Sequence, residues 1–207
     1  MLSHIDDEDS VGSHSVGFSM SNHPQIILKI LRETLKVDKA SLHEPIFIGN
    51  EKDYLLDCVE STFVSSVGQY VKKFEEQLSD FTGAKHVVAV VNGTAALQIA
   101  LKLVGVERDH EVVVPSLSFV ATANAVTYLN AIPHFIDSSI INLGLDPTVL
   151  RDWLDFVSEQ TAEGCRNKRT GRKIAAVVPM HTFGHPCAMN ELIEIAEEYN
   201  LNLVEDA

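Results

Sequence analysis

The chain has 207 residues, enough for one sizeable core or for one domain with an appendage. Apolar residues make up 45% and charged residues 22%, the balance of a globular protein rather than of a disordered one. A net charge of −13 argues against a general nucleic-acid binder, whose surface must attract phosphate, but allows a small anionic ligand in a local site.

The opening stretch "MLSHIDDEDSVGSHSVGFSMSNHP" has neither the basic start nor the apolar core of a signal peptide, and no apolar run approaches the length of a membrane span. Residues 1–21 read as a polar, disordered tail and the protein as cytoplasmic. Cys58, Cys165 and Cys187 lie far apart, fit neither a disulfide framework nor a metal knuckle, and read as structural thiols.

Residues 22–84 read as a helical segment. "SNHPQIILKILRETLK" predicts a helix capped at Ser21 or Asn22 with Pro24 in its first turn. "HEPIFIGN" is a turn-rich connector. "EKDYLLDCVESTFV" and "YVKKFEEQLSDF" predict two further amphipathic helices, with Gly83 just past the second.

From residue 85 the pattern changes. Short apolar runs, "HVVAVV" (86–91), "EVVVP", "IPHFID", "KIAAVVP" and "LNLVED", alternate with "GTAALQIALKLV", "FVATANAVTYLN", "DPTVLRDWLDFVSEQ" and "MNELIEIAEEYN". Strands alternating with helices predict parallel crossover units, and strands apolar along their whole length predict a sheet covered on both faces. The fold class is α/β. The polar stretch "AEGCRNKRTGRK" (162–173) reads as a solvated loop, with contact to an anionic substrate as the alternative.

Four places invite chemistry, all at the carboxyl ends of predicted strands, where open α/β sheets bind ligands. In "VVNGTAAL" a helix starts at Gly93 and Thr94, and its free amides and dipole suit a phosphate; the plainer reading is a cap by Asn92 or Thr94. Phe119 in "PSLSFVATANAV" suits the cover of a flat heterocycle, although a lone aromatic is more often core. In "MHTFGHP" the four-residue spacing of His181 and His185 would suit a metal only within a helix, and Gly184 and Pro186 break one. Asp206, at the end of "LNLVED", would cap the next turn or hold a protonated ring nitrogen. Together these features suit a flat, phosphorylated cofactor with a cationic ring, and pyridoxal 5'-phosphate (PLP) has all three properties.

The stretches "GQYVKKFEEQLSDFTGAKHVVAVVNGTAALQIAL", "VVVPSLSFVATANAV" and "VVPMHTFGHPCAMNELIEIAEEYNLNLVEDA" resemble the DegT/StrS family of PLP-dependent sugar aminotransferases, in order, from about Pro45 onward. The resemblance implies a three-layer fold of the aspartate-aminotransferase type with a mainly parallel sheet, 85–207 forming part of the PLP-binding large domain. It also implies a homodimer in the full-length form. Gly93, Thr94 and Ala95 match the phosphate-binding turn, Phe119 the aromatic that stacks on the ring, Asp206 the partner of the ring nitrogen, and His181 a loop position near the cofactor. The implied reaction moves an amino group, commonly from glutamate, to a nucleotide-linked keto sugar by a two-stroke scheme with ping-pong kinetics. "PIFIGNEKDYLLDCVESTF" with "HTFGHP" is similar to the subgroup acting on UDP-linked 4-keto-6-deoxy-N-acetylhexosamines for surface glycans.

There are departures from the family pattern. Ala188 and Asn190 stand where many relatives carry acidic residues, and Asn190 is expected to cap the following helix. The Schiff-base lysine of the family lies beyond the aspartate, whereas all ten lysines here precede Asp206, so no catalytic residue is assigned. The chain thus reads as a truncated copy, inactive alone, with "HVVAVV" lacking sheet neighbours. The alternatives are a short product that binds PLP or a partner without catalysis, and an unrelated nucleotide-binding module. The last lacks GxGxxG and the lysine of a P-loop.

Overall fold

The computed structural model describes residues 23–37, 39 and 45–207, and the chain divides into two units, Met1–Ser65 and Ser66–Ala207. The predicted tail and the caps at Ser21 and Asn22 lie outside the described residues. In the first unit, α1 (His23–Leu35) has Pro24 in its opening turn, where a missing N–H costs nothing. A connector with exposed Ile46, Phe47 and Ile48 leads to α2 (Glu51–Glu60), whose first turn carries Glu51 and Asp53 against the positive end of the helix dipole.

The second unit begins with α3 (Gln69–Thr82). Gly83 ends it in the left-handed conformation (φ 74°) and donates its amide to Ser79 O at 2.9 Å, the cap that its position after the helix predicts. The unit is built around β1 (Glu111–Pro115), which is buried throughout. Parallel strands run in the order β2 (Ile132–Ile136), β1, β5 (Ile174–Val177), β6 (Asn202–Leu203).

Side chains alternate across this sheet as the pleat requires. Val113 enters one core with Leu150 and Leu154 of α6 (Pro147–Val157) and Leu192 and Ile195 of α7 (Met189–Glu198). Val112 and Val114 enter the other, with Leu97 and Leu101 of α4 (Gly93–Leu103) and Ala125 and Val126 of α5 (Val120–Tyr128). The result is helices, sheet, helices, a three-layer arrangement. Each fully buried Leu or Val contributes about 1.5–3 kcal/mol. Asp146 caps α6 by accepting from the Thr148 and Val149 amides (2.9 and 3.2 Å).

On the outer face, Arg151 of α6 pairs with Glu198 of α7, and the Tyr199 hydroxyl donates to Asp155. Burial, then the Asp155 hydrogen bond and charge, push that phenol up to about 12. Burial also pushes the Cys165 and Cys187 thiols up, so both are poor nucleophiles, in keeping with a packing role.

Four of these expectations come out differently. Residues 86–91 form no strand: Val88 and Val91 are exposed, and the Ala89 amide is held by Glu75 Oε1 at 2.8 Å. A strand exists only through bonds to a neighbour, and both edges of the sheet, β2 and β6, leave this run unpaired. The helix expected through Gln160 stops at Val157; Ser158–Thr161 (β3) instead pairs in an antiparallel hairpin with β4 (Gly164–Asn167), which lies within the expected loop 162–173. Gly164 at φ 111° makes its turn, and Arg166 is held by Glu163 at 3.0 Å. Asn190 does not cap α7, because the helix starts one residue earlier with Ala188 at the cap position.

His134 on β2 stacks on Trp153 of α6, with ring centroids 4.0 Å apart and planes 30° apart. Burial lowers the pKa of this imidazole from 6.5, opposed in part by the Glu111 charge. The unfolded chain therefore binds the proton more readily than the folded one, so this histidine costs stability as pH falls below about 6.5 and costs nothing well above it. His110, lowered first by burial and then by Lys173, acts in the same direction. Urea midpoints measured at about pH 7.5 and about pH 5.5 are expected to fall on acidification. The fall should be smaller in H134F, which keeps the stack without the titration; an equal fall would exclude His134 as a contributor.

Candidate functional site

Parallel pairing brings the ends of β5 and β6 together beyond the regular strands. Val204 N donates to Val177 O (3.0 Å), Asp206 N to Pro179 O (2.9 Å), and His181 N to Asp206 O (2.9 Å). Asp206 and His181 are thus fixed by main chain at neighbouring strand ends. The loop that follows β1 carries Ser118 and Phe119 into α5, with Phe119 at the cap position and its side chain exposed rather than in the core.

Side chains link the loop to the carboxylate. Thr122, 1% exposed in the first turn of α5, donates from Oγ1 to Asp206 Oδ2 at 2.5 Å and accepts from Ser118 Oγ at 2.7 Å. Asp206 Oδ1 makes no hydrogen bond among the described residues. His181 Nδ1 accepts from the Cys187 amide (3.2 Å), which leaves Nε2 as the protonated nitrogen that donates to Glu205 Oε2 (3.0 Å). The neutral tautomer satisfies both bonds. The turn after His181 is a 3-10 turn, Thr182–Gly184, with Phe183 in the left-handed region at φ 53°, and exposed His185 lies outside this network. No group of three or more His, Cys, Asp or Glu that could hold a metal ion occurs among the described residues.

At the start of α4, Asn92 Oδ1 accepts from Ala95 N at 2.9 Å, the side-chain cap that the sequence offered as the plainer reading. The cap occupies the Ala95 amide. The amides of Gly93 and Thr94 have no partner among the described residues, and a Cβ added at Gly93 would meet nothing within 4 Å. α4 packs on α5, while no hydrogen bond among the described residues joins Gly93, Thr94 or Ala95 to the His181–Asp206 group. Of the predicted site residues, Asp206 and His181 are therefore linked directly and Phe119 sits beside Ser118; the Gly93–Ala95 turn stands apart in the bonding. Thr122, Ser118 and Glu205 escaped the sequence reading. The signal for Thr122 was a hydroxyl three residues into a helix that begins at a strand's end.

Layered helices around a parallel sheet define an α/β domain, and the solved structures it superposes on include aminotransferases. The DesV protein of S. venezuelae superposes with a TM-score of 0.64 at 27% identity, over 87% of this chain and 41% of that one. Bacillus subtilis ntda, solved with bound cofactor PMP, gives a TM-score of 0.65 at 26% identity, over 82% of this chain and 38% of that one.

The sequence pattern of the DegT/DnrJ/EryC1/StrS aminotransferase family matches residues 46–207, and the chain belongs to that family. It is 37% identical over 169 residues to the GDP-perosamine synthase of Caulobacter vibrioides, a match covering 82% of this chain and 41% of the relative. The chain thus spans about two fifths of the length of the curated relatives it matches. The family is one of PLP-dependent sugar aminotransferases. No helix among the described residues is long and apolar enough to cross a membrane.

Proposed function

We propose that this chain provides the cofactor-binding part of an aminotransferase that places an amino group on a nucleotide-linked keto sugar. The observation that carries the reading is Asp206, a carboxylate fixed by the strand ladder with one oxygen already bonded and the other without a hydrogen bond among the described residues. The residues present fit PLP. Asp206 would hold the ring nitrogen protonated, exposed Phe119 would cover a ring face, and the Gly93 and Thr94 amides, unpartnered among the described residues, would receive the phosphate with the Thr94 hydroxyl. His181, its ring oriented by the Cys187 amide and the Glu205 carboxylate, would border the ring.

When bound, PLP supplies the electron sink that lets the α-carbon of an amino donor lose a proton. The protein's own part is to bind and orient. Asp206 would hold a proton at the ring nitrogen, the α4 start would hold the phosphate, and Phe119 would exclude water from one face. Glutamate is the proposed donor, and a homodimer the proposed full-length assembly. The finer substrate, a UDP-linked 4-keto-6-deoxy-N-acetylhexosamine, rests on "PIFIGNEKDYLLDCVESTF" and "HTFGHP". The GDP-perosamine synthase relative makes a GDP-linked keto sugar the comparison to run beside it.

The test uses the protein as its cells make it. An antibody against residues 45–207 isolates it, and the isolate is given glutamate with either keto sugar. The expected result is 2-oxoglutarate together with a sugar carrying an amine in place of its carbonyl, with ping-pong initial rates. Absence of both products with either sugar would overturn the reading.

A further inference from the structure

We propose that Thr122 is the positioning residue for Asp206: its buried hydroxyl, itself fixed by Ser118, holds the carboxylate aimed so that the opposite oxygen meets a ring nitrogen. The inference rests on the cofactor reading above and assigns a task to a residue that makes no contact with the cofactor in it.

The direction of the hydrogen bonds carries the argument. An ionised carboxylate only accepts, so Thr122 Oγ1 must donate across the 2.5 Å separation to Oδ2. A hydroxyl has one proton to give, so the 2.7 Å contact to Ser118 must run the other way, with Ser118 donating to Thr122. The chain Ser118 to Thr122 to Asp206 therefore has one polarity, and each bond strengthens the next.

Burial makes the order strict. Thr122 is 1% exposed and β-branched, so its side chain has little freedom and no competing water. It also spans separate elements: Thr122 sits in the first turn of α5, whereas Asp206 follows β6. The main chain fixes the Cα of residue 206 through the Pro179 and His181 bonds but leaves its carboxylate free to turn. Thr122 removes that freedom.

Two consequences follow for a ring nitrogen shared with Asp206. A donor on Oδ2 favours the charged carboxylate, so the shared proton stays on the nitrogen. A single orientation of the carboxylate also lowers the ordering cost of binding. Removing the hydroxyl should therefore alter where the proton lies, which a role in packing alone would not do.

The test loads the 207-residue chain with pyridoxamine 5'-phosphate carrying nitrogen-15 in its ring. The wild type is expected to bind saturably, with the ring-nitrogen resonance at the protonated position, and D206N to lose that position. T122V, which replaces only the hydroxyl by a methyl, is expected to bind about tenfold more weakly, the scale of one charge-assisted hydrogen bond. Its ring-nitrogen resonance should move toward that of neutral pyridine, and T122S should restore both readings.

Weaker binding of T122V without a change in the resonance would overturn the inference and leave the cofactor reading intact. No saturable binding by the wild type would overturn both. S118A keeps Thr122 and Asp206 in place and guards against a T122V chain that does not fold. It should move the resonance in the same direction by less, and an unmoved resonance there would also count against the relay.

Discussion

Replacing Glu111 by alanine is expected to cost about 3 kcal/mol of unfolding free energy, and replacing it by glutamine about 1 kcal/mol. Glu111 opens the central strand β1 and is 2% exposed, a burial that a carboxylate tolerates only when it is well bonded. Its Oε2 accepts from Asn167 Nδ2 at 2.8 Å and its Oε1 from the Thr170 hydroxyl at 2.6 Å. The Glu111 amide also donates to Lys173 O at 2.8 Å, so main chain and side chain together pin the 167–173 turn to the sheet. Alanine would strand two donors and leave a void at once. Glutamine keeps the shape: its carbonyl faces Asn167, and its amide faces Thr170, whose hydroxyl can turn to accept. Urea unfolding of the three proteins checks this, and a loss in the alanine variant no larger than in the glutamine variant would show that the bonds contribute little.

Gly144→Ala is expected to cost about 2 kcal/mol, and most of that cost should vanish in a Cys187→Ala background. Gly144 is needed here for close approach: an added methyl would fall well inside contact with Cys187 Sγ and 3.3 Å from its Cβ. The sulfur is not free to swing away, because it donates to Met180 O at 3.1 Å and lies in the core beside Leu145. The overlap is therefore relieved by deleting the sulfur rather than by rearranging it. Unfolding free energies of the two single variants and the double variant form a cycle. A double variant whose cost equals the sum of the singles would show that the two positions do not meet in this way.

What the sequence disclosed, and what it hid, divides along physical lines. Elements whose signal is local were legible. "EVVVP" is apolar along its whole length because both its faces are covered, and Gly83 and Pro24 sit where only a cap and a first turn favour them. Asp206 was legible because it ends an apolar run. Elements whose existence depends on a partner were not. "HVVAVV" has the composition of a strand, and only its expected lack of sheet neighbours pointed the other way, whereas "GCRN" looks like loop until it folds back to pair with "SEQT". The polar links of the site were hidden for a related reason. Thr122 meets Asp206 across 84 positions of chain, and His181 meets Glu205 across 24, separations over which no periodicity carries information. Asn190 shows the narrower difficulty that a helix can begin one residue before its expected cap.

The ladder that reaches past β6 has a consequence for how this protein can change over time. Because Pro179 O and His181 N take hold of residue 206 through its peptide groups, the location of that residue is written in backbone, where most substitutions leave it untouched. A mutation at 206 edits the chemistry presented there without moving the place where it is presented. Scaffold and reagent are thus separately heritable, and selection can act on one while the other stays in register.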